Sequence, residues 1–227
     1  MCGRYQLSLP LQDVEAHFNA RRVSGPPFSG RYNIAPTQTI PVVRPSDGQR
    51  ELVPLRWGLV PHWAQNAESA ARMINARSET VAEKPSFRDA FRHARCLVPS
   101  TGFYEWKQSG RGKTPYLIQV RDTSVYGMAG IWSRWRGPEG PLETFSVLTT
   151  KAAPSIADVH ERMPVILHPD HYGHWLDPTA PRDYLLDLCQ PLPDDLIVRT
   201  EVSDYVNSAR NEGPECETPG PTQGSLL

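Results

Sequence analysis

Residues 96–120 read CLVPSTGFYEWKQSGRGKTPYLIQV, and this stretch predicts a run of strands joined by short connections. The segments 96–98, 102–107 and 116–120 are apolar or alternating, which is typical of strands. The polar segment 107–114 (KQSGRGKT) separates the last two and is typical of a hairpin connection. Strands joined by so short a connection pair antiparallel, because a parallel pair needs a long crossover.

The same pattern extends to both sides of this stretch. Further strands are predicted at 40–43, 52–55, 125–132, 145–149, 164–167 and 197–202. Helices are predicted at 10–20, 169–175 and 181–188, and one capped by Ser86 at 87–91, with a helical turn at 154–158. The Gly/Pro-rich segment from the first helix to Asn33 is predicted to be a loop. Because strands outnumber helices and do not alternate with them, we predict an α+β fold with a curved, largely antiparallel, barrel-like sheet and a few flanking helices.

Length and composition limit the organisation of the chain. It has 227 residues, 39% hydrophobic and 22% charged, which predicts a single domain over residues 1–210. Residues 211–227 are rich in Gly, Pro and Glu, which predicts a flexible C-terminal tail. We find no apolar run long enough to cross a bilayer and no secretory leader. We therefore expect a cytoplasmic monomer, nucleoid-associated if bacterial, without a membrane partner.

The four cysteines, Cys2, Cys96, Cys189 and Cys216, are far apart in the sequence. Their spacing matches neither a metal-ligand pattern nor a small disulfide framework. The cluster His168, His171 and His174 matches no metal pattern either and is interpreted as surface. We therefore expect reduced thiols and neither a metal nor a cofactor.

The charge of the chain is distributed unevenly along the sequence. Residues 1–136 hold 19 Lys+Arg and 10 Asp+Glu, a balance of +9, and the remainder holds 5 and 15, a balance of −10, which together give the net −1. Such a division is compatible with a basic face for phosphates and an acidic far side. An ordinary solvated surface explains it equally well.

Cys2 carries the first chemical signal. Removal of the initiator methionine would expose an α-amine and a thiol on neighbouring carbons, a pair that no internal cysteine offers. Such a 1,2-aminothiol condenses with an aldehyde to an imine and then closes a thiazolidine ring. The reference pKa of the amine is about 8 and that of the thiol about 8.5, so neutral amine and some thiolate coexist near neutral pH.

Two residues are candidates for proton transfer. Glu105 lies among aromatic residues in a predicted strand, where lost hydration should raise the pKa of its carboxyl. The alternative is an exposed strand glutamate paired with Lys107. His160, at a predicted helix-to-strand junction, can act as an acid or base near neutral pH, although a packed or surface histidine is the commoner role.

Four further residues suggest substrate contacts. Asn75 can orient a sugar hydroxyl or an imine, and its alternative role is that of a turn residue. Arg77 and Arg162 suit phosphates, while surface salt bridges are their commoner role. Trp63 can stack on a base or pack in the core.

Taken together, these residues lie in motifs that resemble the SRAP family, the SOS response-associated peptidase or abasic-site-processing proteins. The resemblance covers nearly the whole chain, through MCGRY, RYNIAPT, WGLVPHW, INARSET, CLVPSTGFYEWK, FSVLTT, DVHERMPVIL and VNSARNEGPE. The chain departs from many bacterial members, which carry two adjacent tryptophans, at Trp63-Ala64.

The resemblance implies a fold, a chemistry and a partner. It implies an SRAP-type fold and a covalent bond between the terminal Cys2 and the open aldehyde of an abasic site in single-stranded DNA, including such sites at single-strand/double-strand junctions. It assigns Cys2, Asn75, Glu105 and His160 to the active site. It assigns to the DNA groove Gly3, Arg4, Asn33, Pro36, Trp63, Arg77, Ser78, Thr149 and Arg162.

Two other functions remain open from the sequence. A thiol (auto)peptidase would use Cys2 as nucleophile with His160 and Glu105 as base and orienting group. A plain single-strand binding module would use only stacking and phosphate contacts.

Overall fold

A computed structural model describes residues 2–23, 25, 27–110 and 112–220 of the chain. The strands are β1 (Tyr5–Leu7), β2 (Ala20–Arg22), β3 (Arg31–Ile34), β4 (Thr39–Ser46), β5 (Gln49–Trp57), β6 (Asn75–Arg77), β7 (Arg95–Ser100), β8 (Gly102–Ser109), β9 (Gly112–Val120), β10 (Tyr126–Gly137), β11 (Gly140–Lys151), β12 (Arg162–Pro164), β13 (Ile166–Leu167) and β14 (Ile197–Glu201). The α-helices are α1 (Leu11–Phe18), α2 (Arg88–His93), α3 (Tyr172–Leu176) and α4 (Arg182–Asp187). Short 3₁₀ segments lie at Glu68–Arg72, Pro154–Ile156, Pro169–His171, Asp194–Leu196, Asp204–Asn207 and Pro214–Glu217.

Five strands close into a ring. Their hydrogen-bonded order is β11-β10-β7-β4-β5, and β5 pairs back onto β11 in parallel, with Arg56 opposite Thr144 and Trp57 opposite Phe145. The other neighbours in the ring pair antiparallel. The predicted α+β fold with a largely antiparallel, barrel-like core is therefore confirmed.

A second antiparallel sheet, β14-β9-β8-β1-β3, brings the start of the chain to the predicted Glu105 strand. β1 pairs with β8 through Tyr5 opposite Phe103, and the Tyr104 backbone N–H donates to the Arg4 carbonyl over 3.0 Å. Because this pairing is antiparallel, the residues before Tyr5 run past Glu105. The predicted hairpin is present but tighter than expected, since β8 and β9 remain paired up to Ser109 opposite Gly112.

The core inside the ring explains why these strands are apolar. Trp57 and Phe145 stack with ring centroids 6.3 Å apart, and Tyr5 meets Trp57 edge-on at 5.1 Å. Arg95, although buried, donates to four backbone carbonyls around α2 and α3. The Arg95 guanidinium is thereby hydrogen-bonded at the ends of two short helices, where carbonyl groups otherwise lack partners.

Two local predictions were wrong. The predicted loop up to Asn33 instead contains strands β2 and β3, because β5 and β1 supply partner strands, with Ala20 opposite Arg50 and Ile34 opposite Tyr5. Ser86 does not cap α2, whose N-cap is Phe87 without a side-chain cap. Backbone bonds from Phe87 and Arg88 to the Lys84 carbonyl form the preceding turn instead.

Part of the predicted tail packs against the second sheet. Glu217 accepts a hydrogen bond from the Gln6 side chain at 2.8 Å, and Cys216 is fully buried. Val202 and Pro219 form an antiparallel bridge. Residues 211–220 thus differ from the expectation of a flexible tail because they supply buried contacts, while 221–227 lie outside the described residues. Among the described helices, none has the length and apolar character required to cross a membrane.

Candidate functional site

Cys2 lies at the inner end of the site, fully buried. Its Sγ lies 3.8 Å from the Arg4 carbonyl oxygen, which accepts the weak thiol hydrogen bond. Burial raises the pKa of the Cys2 thiol well above its usual range, and the negative charge of Glu105 raises it further. The thiol is therefore neutral near pH 7.

Asn75 lies directly against Cys2. Its Nδ2 donates to the Cys2 carbonyl oxygen over 2.7 Å. The side chain is positioned by β6, which pairs in parallel with β11 through Asn75 opposite Val147. Its Oδ1 is buried without a hydrogen-bond partner among the described residues, so it is an acceptor available to a donor at the site.

Glu105 is the carboxylate of the site. It is 5% exposed on β8, on the strand face of Phe103, while Tyr104 packs into a separate small cluster on the other face. Burial raises the pKa of its carboxyl, as the sequence predicted. The alternative pairing with Lys107 is wrong, because Lys107 binds Asp158 at 2.5 Å instead.

His160 is half-buried, and its ring orientation is set by the residue two positions later. Its Nδ1 accepts from the Arg162 backbone N–H over 2.9 Å. Nδ1 also lies 3.2 Å from the Arg162 carbonyl oxygen, so both of these contacts of the nitrogen are with the Arg162 backbone. The positive charge of protonated His160 acts against the rise in the Glu105 pKa, so the two groups lie close enough to interact.

These contacts bring together the four residues predicted for the active site. Asn75 contacts Cys2 directly, and charge interactions link Cys2 with Glu105 and Glu105 with His160. The arrangement places an acceptor amide, a carboxyl of raised pKa and an imidazole around the first residues of the chain. Such a set can move protons at an electrophile bound to the terminus.

Arg162 is found in a different environment from the one the sequence suggested. Its guanidinium is buried and binds Glu79 through two hydrogen bonds of 2.5 and 2.9 Å. It also donates to the Thr149 carbonyl at 2.5 Å. Ser78 and Thr149 are buried beside it, and their backbones are joined by a 2.9 Å bond. These three predicted groove residues do not present open side chains in this structure.

Half-buried Arg4 and buried Asn33 form a second hydrogen-bonded group. Arg4 donates to the Asn33 side-chain oxygen at 2.7 Å and to the Val206 carbonyl, and its guanidinium lies over the Trp106 ring. Asn33 is fully buried, and its Nδ2 donates to carbonyls of residues 206, 208 and 211. Asn33 therefore joins the N-terminal region to residues 206–211 rather than lining an open groove.

Other predicted residues are accessible. Trp63 is 56% exposed, Arg77 is exposed, and Gly3 and Pro36 are half-buried. Asn75 lines an open cavity of about 510 Å³ together with three positively charged side chains, Arg72, Arg77 and Lys84. Its lining residues are Arg72, Met73, Asn75, Arg77, Lys84, Ser86 and Phe87.

Several residues at the site were not predicted from the sequence. Glu79 lies in the INARSET motif and Arg72 and Lys84 flank it, but no spacing or residue pattern in the sequence indicated a role for any of the three. Glu212 accepts hydrogen bonds from the Arg31 side chain and from the Tyr32 and Asn33 backbone. Its position in the NEGPE motif was visible, but its partners 180 residues away were not. Among the described residues no group of three or more His, Cys, Asp or Glu could hold a metal ion.

Comparison with known proteins gives the family. The family described as "SOS response associated peptidase (SRAP)" matches residues 1–209 of the chain. The chain is 40% identical over 220 residues to the abasic site processing protein YoqW of Bacillus subtilis, covering 95% of this chain and 98% of that protein. It is 34% identical over 197 residues to the abasic site processing protein HMCES of Gallus gallus, covering 75% of this chain and 58% of that protein.

Solved structures give the same result for the fold. A crystal structure of a protein from Bacteroides thetaiotaomicron superposes with a TM-score of 0.89 at 30% identity, covering 97% of this chain and 100% of that one. A second crystal structure, of a protein from Bordetella bronchiseptica, superposes with a TM-score of 0.76 at 28% identity. The match covers 89% of this chain and 100% of that one. On the evidence of its motifs, its fold and these matches, the chain belongs to the SRAP family.

Proposed function

We propose that this protein captures abasic sites in single-stranded DNA as a covalent thiazolidine adduct of Cys2, after removal of Met1. The observation that carries the proposal is the contact of Asn75 with Cys2 beside a buried carboxyl and an imidazole at the start of the chain. The names of the relatives, abasic site processing proteins, support DNA with abasic sites as the partner.

The first step opens the sugar. An abasic sugar is mostly a closed hemiacetal, and ring opening requires one proton to leave its hydroxyl and one to reach the ring oxygen. Glu105, whose pKa is raised by burial, can hold the proton that is delivered. His160 has its Nδ1 against the Arg162 backbone, which leaves Nε2 to exchange protons with the sugar.

The second step joins the protein to the aldehyde. The neutral α-amine of Cys2 adds to the carbonyl carbon, and the resulting carbinolamine loses water to give an imine. The free acceptor Oδ1 of Asn75 can orient the amine, while its Nδ2 holds the Cys2 carbonyl. Glu105 supplies the proton that leaves with the hydroxyl as water.

The third step closes the ring. The Cys2 sulfur bonds to the imine carbon, and the thiol proton ends on the nitrogen, so no oxidant or reductant is required. Because amine and thiol belong to one residue, the reaction is intramolecular, with an effective molarity of about 10⁵ M or more. Burial keeps the thiol neutral until Glu105 or His160 accepts its proton.

Ring closure explains why a cysteine is needed. An imine withdraws electrons and promotes β-elimination, which cuts the DNA strand. A thiazolidine removes the imine and leaves the strand intact. The protein therefore acts as a shield, and the exposed Arg77 and Trp63 provide a phosphate contact and a stacking surface for the strand.

Intact-mass spectrometry tests this proposal. Protein lacking Met1 should gain the mass of an abasic oligonucleotide less one water, and the product should survive denaturation. Cys2→Ala with a comparable free terminus should give only a minor, labile product. Absence of a stable adduct with the native terminus, or an undiminished adduct with Cys2→Ala, would reject the proposal.

A thiol peptidase is the second candidate, supported by the family description and by the neighbourhood of Cys2, Glu105 and His160. Because the pKa of the buried thiol is raised, this function also requires Glu105 or His160 to accept the thiol proton. Acetylation of the terminal amine separates the two functions. It should abolish adduct formation and leave peptide hydrolysis intact.

A further inference from the structure

The ion pair between Glu79 and Arg162 joins a fixed partner to a surface partner. Arg162 Nη1 lies 2.5 Å from Glu79 Oε1, and Nη2 lies 2.9 Å from Oε2. The Arg162 side chain is 9% exposed, whereas that of Glu79 is 46% exposed. The carboxylate can therefore swing into solvent while the guanidinium stays in place.

Arg162 is held by more than this pair. Nη2 also donates to the Thr149 carbonyl at 2.5 Å, and the backbone pairs with β11 through Arg162 opposite Lys151. Its Nε is buried without a hydrogen-bond partner among the described residues. A buried guanidinium without an anion is strongly unfavourable, so whatever displaces Glu79 must itself be an anion.

Glu79 also lies within the field of the exposed Arg77. Both arginines contribute to lowering the pKa of the Glu79 carboxyl, with the hydrogen bond from Arg162 as the largest cause. The carboxylate is thus negative near pH 7 between the two arginines expected to hold DNA phosphates. Carboxylate and phosphate bind guanidinium with the same two-pronged geometry, so they compete for one place.

We infer that Glu79 is a specificity-determining residue that occupies a DNA phosphate position in the free protein and must be displaced when a strand binds. The inference rests on the proposed function. Displacement lowers the affinity for every strand, but an abasic strand is then retained by its covalent bond. Intact DNA, which has no aldehyde, is released.

Binding of an intact single-stranded oligonucleotide, followed by fluorescence anisotropy, tests the inference without any covalent chemistry. The variants are Glu79→Gln and, as matched control, Glu83→Gln. Glu83 is exposed in the same segment, and its closest described cation is Arg182 at 4.0 Å, so both variants remove one nearby negative charge. Glu79→Gln should bind about tenfold tighter than wild type, and Glu83→Gln should change much less. In an Arg162→Met background the effect of Glu79→Gln should shrink to that of Glu83→Gln.

Equal or weaker binding by Glu79→Gln relative to Glu83→Gln would overturn the inference and indicate that Glu79 positions Arg162 for DNA.

Millimolar inorganic phosphate should raise the melting temperature of Glu79→Gln and not that of wild type. If Glu79→Gln folds poorly, phosphate should restore it, and failure to do so counts against the inference. If wild type binds neither intact nor abasic strands, the proposed function falls as well. If it binds and forms adducts while the two Gln variants behave alike, only this inference falls.

Discussion

The Asn75 side-chain amide donates to the Cys2 carbonyl oxygen over 2.7 Å, so a residue of β6 holds the start of the chain in place. β6 is itself fixed by parallel pairing with β11 in the barrel. Cys2 is thereby attached to a strand that pairs with the barrel. In the proposed function, positioning of this kind speeds the intramolecular ring closure.

Asn75→Asp should slow adduct formation by about tenfold to a hundredfold, because the carboxylate cannot donate to the Cys2 carbonyl and misplaces the terminus. Single-turnover crosslinking to an abasic oligonucleotide, resolved on denaturing gels, measures the rate. Asn66→Asp provides the same chemical change on an exposed loop and should leave the rate unchanged. A normal rate for Asn75→Asp would show that the amide contact does not matter.

Glu105→Gln should reduce the rate of adduct formation by about 10²-fold to 10⁴-fold, the usual contribution of a positioned acid or base. It should also change the pH dependence of stability. Burial raises the pKa of Glu105 in the folded state above its pKa in the unfolded chain. At pH values between these two pKa values, the folded protein therefore binds more protons than the unfolded chain. Wild-type stability therefore falls as pH rises from the unfolded pKa through the raised folded one.

Thermal melts across pH measure this second effect of Glu105→Gln. The variant lacks the titration, so it should gain stability relative to wild type as pH rises through that interval. Glu139→Gln, on an exposed turn, should follow wild type at every pH. A stability difference between Glu105→Gln and wild type that does not vary with pH would contradict the raised pKa.

Asn33→Ala should lower the free energy of unfolding by about 3 kcal/mol, because it removes a buried amide and leaves polar groups unpaired. Those groups are the carbonyls of residues 208 and 211, while Arg4 and the carbonyl of residue 206 lose Asn33 but keep their hydrogen bond to each other. Urea titration measures the loss, with Asn66→Ala as the exposed control. A loss below about 1 kcal/mol together with weaker DNA binding would instead support the direct groove role implied by the family resemblance.

Trp63→Ala should change the unfolding free energy by no more than about 0.5 kcal/mol, because the ring is 56% exposed. It should weaken binding to single-stranded DNA by about 1–3 kcal/mol if a base stacks on the ring. Anisotropy titration against an intact strand reports the second value. Strong destabilisation with unchanged DNA affinity would assign Trp63 to packing.

Local patterns located the long strands but not their ends, since the predictions at 40–43, 52–55 and 145–149 cover only the middle of β4, β5 and β11. Each long strand alternates or is uniformly apolar over enough residues to show which faces are buried, as β8 does with Phe103 and Tyr104 on opposite faces. The short strands β1, β2, β3 and β6 were missed as strands. Three or four residues are too few for a periodicity, and these segments are extended because a distant strand pairs with them.

The candidate site likewise contains one property that the local sequence predicted and several contacts that it did not. The raised pKa of Glu105 was predicted from its place in an aromatic-rich strand, and its cause is burial on the Phe103 face of that strand, opposite Tyr104. The partners of Arg162 and Lys107 could not be predicted. Ion pairs of a long flexible side chain are chosen among residues that only the folded chain brings near, here Glu79 and Asp158.

The sequence by itself determined the family, the α+β class and the residue types available for chemistry at Cys2, Asn75, Glu105 and His160, because motifs and strand alternation are properties of neighbouring residues. Only the tertiary structure decided that β5 meets β11 to close the barrel, that Asn33 binds residues 206–211, and that Glu79 rather than solvent faces Arg162. These contacts join residues far apart along the chain. Their formation depends on how much apolar surface and how many polar partners the whole fold can bury at once.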